Sequence, residues 1–326
     1  MKIAGLEVAA GQYTRGSLPC AYLPDGSEVS VPLSILSGAK DGPTLLITSA
    51  IHGTELTGIE VIRRLLREDL KASDLRGTIV AAPIVNPMAY NAQQMNTPQD
   101  SYNLNRVFPG DPKSLLSHRL AHLIYSQLVA PCDYVIDLHA NPTPAIQFAI
   151  TKGAADPNIT TRSKKMADAF GITTIEMRYE HEKHRTGTMI ECAMADGKPS
   201  LVLELVYWRR IDPVSVNTGV RGIKNVLKSL DMLDGELEEQ TETPVIKGAL
   251  SRVEVTANKG GLVFWSKTAG DSISKGEVIG VLRDPWGDIV EEVVSPRDGW
   301  ILAWPLLLNQ TATTGDFLTF IAYRQE

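Results

Sequence analysis

Leu45-Leu46-Ile47-Thr48-Ser49-Ala50-Ile51-His52-Gly53-Thr54-Glu55 begins as an apolar run of strand length and ends on two metal-competent side chains three residues apart. The run is short and followed by glycine, which reads as a buried strand. A second such run, Tyr134-Val135-Ile136-Asp137-Leu138, ends on His139. Two imidazoles and a carboxylate at the ends of neighbouring strands form the donor set of a catalytic zinc site, with three protein ligands and one position left for water. A His-x-x-Glu pair alone is common and ordinarily means a polar pair at a helix start. The second strand-end histidine is what singles out His52, Glu55 and His139 as ligands of one zinc ion. Asp137, two residues before His139, lies on the same side of that strand and is placed to orient it.

Working outward, residues 1–240 alternate β-rich runs with amphipathic segments. Strands are predicted over 30–37, 43–51, 78–85, 133–139, 145–151 and 200–206, and helices over 55–70, 115–130, 160–170, 186–196 and 215–232. This interleaving predicts an α/β domain with a largely parallel or mixed central sheet. Its ligand sites should sit at the carboxyl ends of strands, where His52, His139 and the residues after Leu203 fall. The acidic stretch from Asp234 to Pro244 reads as a surface connection. Beyond it, residues 245–326 show short β runs cut by turns such as Lys259-Gly260-Gly261 and Asp298-Gly299, which predicts a small all-β, barrel-like domain.

The 326 residues, 43% hydrophobic and 21% charged, are those of an ordinary globular protein, long enough for two domains. A net charge of −6 argues against nucleic acid as a partner. Cys20, Cys132 and Cys192 include no Cys-x-x-Cys, which argues against a thiolate zinc site and fits a reducing compartment. No signal peptide or membrane-spanning stretch is read, so the cytoplasm is the expected location. Homo-oligomerisation is left open.

Three further sites carry chemistry. Glu204 interrupts the apolar run Ser200-Leu201-Val202-Leu203-Glu204-Leu205-Val206. A carboxylate there must be paired or functional, so it is either half of a buried salt bridge or the general base that a zinc hydrolase needs. Asn105 and Arg106 lie in Asn103-Leu104-Asn105-Arg106-Val107-Phe108-Pro109-Gly110, a loop that could be a plain surface turn or a carboxylate clamp. His118 and His122 share one helix face without an acidic residue at ligand spacing, and read as a partly exposed face. His181 and His184 fall in a charged stretch that reads as a solvated loop.

Together, His52-Gly53-Thr54-Glu55, Asn86-Pro87, the Asn103–Gly110 stretch, Asp137-Leu138-His139 and Leu203-Glu204-Leu205 resemble the succinylglutamate desuccinylase/aspartoacylase family, relatives of the zinc carboxypeptidases. The likeness is nearest the branch that deacylates N-acyl amino acids such as N-acetyl-diaminobutyrate. The resemblance implies a zinc carboxypeptidase-like fold, zinc on His52, Glu55 and His139, Glu204 as general base and acid, and Asn105 with Arg106 on the substrate carboxylate. The C-terminal part resembles a biotinyl/lipoyl-type hairpin barrel, and with no Met-Lys-Met present no attached biotin is expected. Two positions depart from the family pattern. Met95 stands where relatives carry an arginine that polarises the scissile carbonyl, and Val206 where they have glycine. Arg185, followed closely by Gly187, is the expected replacement for that arginine. The expected activity is zinc-dependent hydrolysis of an amide bond in a small N-acylated molecule. The rivals are a metallocarboxypeptidase and a zinc-binding protein with weak catalysis.

Overall fold

The computed structural model describes residues 2–142, 144–177, 187–304 and 310–325. In chain order these form β1 (Lys2–Ile3), β2 (Leu6–Glu7), β3 (Tyr13–Tyr22), β4 (Glu28–Ser37), β5 (Lys40–Ser49), α1 (Thr57–Arg64), β6 (Arg76–Ala82), α2 (Pro87–Ala92), α3 (Leu116–Ile124), β7 (Tyr134–Asn141), β8 (Phe148–Lys152), α4 (Pro157–Phe170), β9 (Thr173–Met177), α5 (Met189–Ala195), β10 (Ser200–Val206) and α6 (Pro213–Ser229). After these come strands: β11 (Leu250–Thr256), β12 (Gly261–Trp265), β13 (Ser272–Ile273), β14 (Val278–Arg283), β15 (Ile289–Val294), β16 (Gly299–Ala303), β17 (Thr311–Ala312) and β18 (Phe317–Arg324). Helix starts follow local chemistry. Asn86, Asp156 and Asp212 each cap a helix through a side-chain oxygen, and a proline follows each at the first helical position.

One mixed sheet runs β13-β16-β18-β11-β9-β8-β10-β7-β5-β6-β4-β3. Its centre, β10-β7-β5-β6, is parallel, and antiparallel strands flank it. Side chains alternate across it. Ile47, Ile136, Leu138, Leu203 and Leu205 face α1, α4 and α6 in one core, and Leu46, Val80, Val135, Phe148 and Val202 face α3 and α5 in the other. The expected α/β architecture with a mixed sheet is therefore present. The all-β C-terminal part has its own core, where a four-stranded antiparallel sheet, β15-β14-β12-β17, packs on the end of the large one. Trp265 and Trp304 stack there with ring centroids 3.8 Å apart. No described helix is long and apolar enough to cross a membrane.

Several elements differ from expectation. β3 was not expected because it is the sheet's edge strand, mostly part-exposed, and carries Gly16 and Pro19, which mask a strand pattern. β9 is only five residues long, and α2 is a single short turn of helix after Asn86. The predicted helix over 55–70 begins at Thr57 and finishes as a wider turn over Leu65–Asp69.

The acidic connection runs along the surface but is pinned to α4 and α6 of the large sheet. Gln240, 7% exposed, donates from its amide to the carbonyls of Phe170 (3.0 Å) and Thr218 (3.2 Å). Asn225 and Glu238 exchange two further bonds of 2.7 and 2.9 Å. Gln240→Ala should therefore destabilise the protein by about 1–3 kcal/mol. A urea midpoint unchanged from wild type would show that this clamp carries no stability.

Candidate metal centre and active site

The chain leaves β5 through Ala50, whose φ of 49° is left-handed, and this turns His52 back over the end of the sheet. Gly53 then passes hard against α2. A Cβ there would lie 2.1 Å from the Ala89 carbonyl carbon and oxygen, so only glycine fits. Asn86 ties the loop from behind, donating to the Ile51 carbonyl (3.3 Å) and Thr97 Oγ1 (3.0 Å). His139 is brought alongside by parallel pairing of β5 with β7, in register Ser49↔Leu138.

His52, Glu55 and His139 are 6%, 4% and 5% exposed, and one ligand atom from each lies within 4.8 Å of the others. Among the described residues this is the one cluster able to hold a metal ion. Each imidazole turns Nδ1 to the carboxylate: His52 Nδ1 is 2.8 Å from Glu55 Oε1 and His139 Nδ1 is 3.0 Å from Oε2. The outer nitrogens are held elsewhere, His52 Nε2 by Asn103 Oδ1 (3.1 Å) and His139 Nε2 by Asp137 Oδ2 (2.8 Å). Asp137 is itself fixed by the Thr48 hydroxyl, which donates to Oδ1 at 2.7 Å. Oxygen acceptors on both Nε2 atoms favour the tautomers that present Nδ1 lone pairs inward.

The residues fit a divalent metal. Glu55 Oε2 is buried and makes no hydrogen bond of good geometry, which leaves a lone pair for a cation. Burial alone would raise the Glu55 carboxyl, but His52 and His139 carry it down to about 2. Burial alone would likewise lower His139, yet Asp137 and Glu55 raise it well above the usual imidazole range. Both shifts express the same demand for positive charge between these groups.

Glu204 stands beside His139, its partner in the parallel β10–β7 register. It is the one residue of β10 that is not fully buried. Asn141 Nδ2 donates to its Oε2 at 2.8 Å. Burial raises its pKa above the ordinary glutamate value, against the pull of His139. Glu204 makes no salt bridge among the described residues, so its carboxylate has a neutral partner and an opening.

Asn105 is buried, with Oδ1 accepting from the Met189 backbone N–H at the start of α5 (3.0 Å) and Nδ2 3.3 Å from His139 Nε2. Arg106 is exposed and donates from Nη1 to the Asn105 carbonyl at 2.7 Å. Met95 is 40% exposed and follows Gln94, whose carbonyl accepts from the Gly53 N–H. Arg185, His181 and His184 lie outside the described residues. His118 stacks edge-on with Tyr102 at 5.3 Å and joins no metal cluster. Reading the sequence missed Asn103, Asn141 and Thr48. Asn141 was findable, since it lies two residues after His139 on the same strand face.

The profile of the succinylglutamate desuccinylase/aspartoacylase catalytic domain matches residues 41–230, a span that holds every residue of this site. The chain belongs to this family. It is 30% identical over 302 residues to the N-alpha-acetyl-L-2,4-diaminobutyric acid deacetylase of Halomonas elongata, covering 90% of this chain and 86% of the relative. The crystal structure of a succinylglutamate desuccinylase/aspartoacylase from Rhodobacter sphaeroides matches with a TM-score of 0.85 over 100% of both chains at 24% identity. A metallo-carboxypeptidase from Burkholderia cenocepacia shares the fold at a TM-score of 0.53, over 67% of this chain and 65% of its own, at 16% identity. The α/β part of this succinylglutamate desuccinylase/aspartoacylase family member is thus carboxypeptidase-like.

The Asp137 contact sets the next expectation. Removing an acceptor that orients a ligating imidazole typically costs ~10- to 100-fold in metal affinity. Asp137→Ala should show that loss in a competitive chelator titration while retaining the wild-type circular dichroism. Wild-type affinity in the variant would detach Asp137 from the metal centre.

Proposed function

We propose that this chain is a zinc-dependent amide hydrolase that removes a small acyl group from an N-acylated amino acid. The observation that carries the proposal is the juxtaposition of a buried His52–Glu55–His139 cluster with the partly open carboxylate of Glu204 on the adjacent strand. Two imidazoles and one carboxylate are a usual ligand set for catalytic zinc, which supplies a Lewis acid and lowers the pKa of water. The similarity to the diaminobutyrate deacetylase favours a small N-acyl amino acid as the substrate class.

In this reading Glu204 accepts the proton of the attacking water and returns it to the leaving amine. Its raised pKa suits both tasks, because it makes the carboxylate a stronger base toward the attacking water and keeps more of the acid form present for the leaving amine. Asn141 holds one Glu204 oxygen at 2.8 Å and so leaves the other to the reacting water. Asn105 and Arg106 bind the substrate carboxylate. Asn105 is anchored by Met189 and can offer only its amide N–H₂, and Arg106 contributes a planar fork.

Purified protein supplied with zinc should release acetate from N-acetyl-2,4-diaminobutyrate or a close analogue. Glu204→Gln should keep zinc and lower kcat by ~10²-fold or more. Near-normal turnover by that variant would remove Glu204 from the mechanism, and absence of turnover on any N-acyl amino acid would reject the deacylase reading.

A further inference from the structure

The C-terminal strands leave one broad apolar surface in water. In the four-stranded sheet, β12 pairs with β14 and β14 with β15, both antiparallel. Val263, Leu282 and Val293 point inward to the C-terminal core. The outward rows, by period-two alternation, are Leu262–Arg283–Ile289, Phe264–Val281–Glu292 and Val278–Val294. An antiparallel sheet with one face in solvent ordinarily sets its polar residues on that face. Here six of the eight outward positions are apolar, and five of those six side chains are at least 40% exposed.

Scattered surface hydrophobics need no explanation, but a contiguous apolar face does. Three strands about 4.8 Å apart and about six residues long cover roughly 300 Å² in projection. Trp286 extends the face at the turn between β14 and β15, where it is 86% exposed. Side-chain relief adds further surface, toward the about 800 Å² per partner of a standard interface. The two charged residues on the face are opposite in sign. Arg283 is held in place, its Nη1 donating to the Gly287 carbonyl at 2.7 Å and its guanidinium 5.8 Å from the Phe264 ring centroid. Glu292 is exposed one row away on the neighbouring strand and makes no ion pair among the described residues.

We propose that the outward face of β12, β14 and β15 is the interface of a homodimer, covered by the same face of a second copy of this chain. The charge pattern selects that occupant. A two-fold axis lying in the interface, midway between Arg283 and Glu292, sets each against the other across the dimer while the apolar rows close on one another. A face of one sign calls for a partner of the opposite sign, and a face that is its own complement calls for itself. Phe264, Trp286 and Arg283 are of the types that anchor such contacts. The inference stands apart from the deacylase reading, because no residue of the metal centre takes part in it.

Sedimentation equilibrium of the full-length protein tests the proposal. Wild type should be a dimer at micromolar concentration. Arg283→Glu and Glu292→Arg should each weaken that dimer roughly 10-fold or more by facing like charges, and the two changes together should restore it to near wild type. Phe264→Glu should give a monomer with the wild-type circular dichroism, and if that variant does not fold, the charge-exchange series decides alone. A wild type that stays monomeric at submillimolar concentration would overturn the proposal and leave the face to a different partner. A dimer indifferent to the single changes, or one that the double variant does not recover, would overturn it as well.

Discussion

The carboxylate of Glu55, closed between two imidazoles, is the constraint on which the rest of the site depends. At 4% exposure it has lost nearly all of its water, a loss of several kcal/mol unless positive charge replaces it. Both Nδ1 atoms, at 2.8 and 3.0 Å, and the unpartnered Oε2 converge as donors, so a cation among them is what replaces the lost water. The surrounding polar contacts serve this arrangement. Asn103, Asp137 and Thr48 are among them, Asn103 also accepting from the Asn105 N–H at 2.9 Å. They are there because an imidazole that must offer one nitrogen inward has to donate from the other.

The fold follows from the same requirement. Two ligands come from the end of β5 and one from β7, so these strands must be parallel neighbours, and Glu204 requires β10 beside them. The sheet divides its labour by face. Ile47, Ile136, Leu138, Leu203 and Leu205 form an unbroken apolar surface under α1, α4 and α6. The other face interrupts its apolar rows with Thr48, Asp137, His139, Asn141 and Glu204, all at the carboxyl ends of their strands. Because β11 joins β9 in parallel, the large sheet continues into the C-terminal part of the chain.

Much of this was legible in the sequence because the strands announce themselves. Apolar runs that stop abruptly at His52 and His139, and a carboxylate inside the run over 200–206, marked both the central sheet and the polar face. The edge strand β3 was hidden by its own exposure, since half-solvated residues with glycine and proline carry little period-two signal. Asn103 lies within a stretch the sequence singles out and caps the turn after it, but its contact with His52 Nε2 spans 51 positions of sequence and has no local signal.

The central claim is that the three converging side chains form a metal centre. Anomalous diffraction collected on either side of the zinc absorption edge, from crystals of protein purified without chelator, tests it most directly. The account predicts one strong difference peak bounded by His52 Nδ1, His139 Nδ1 and the Glu55 carboxylate. A fully ordered site with no peak there, or a peak held by other residues, would contradict it.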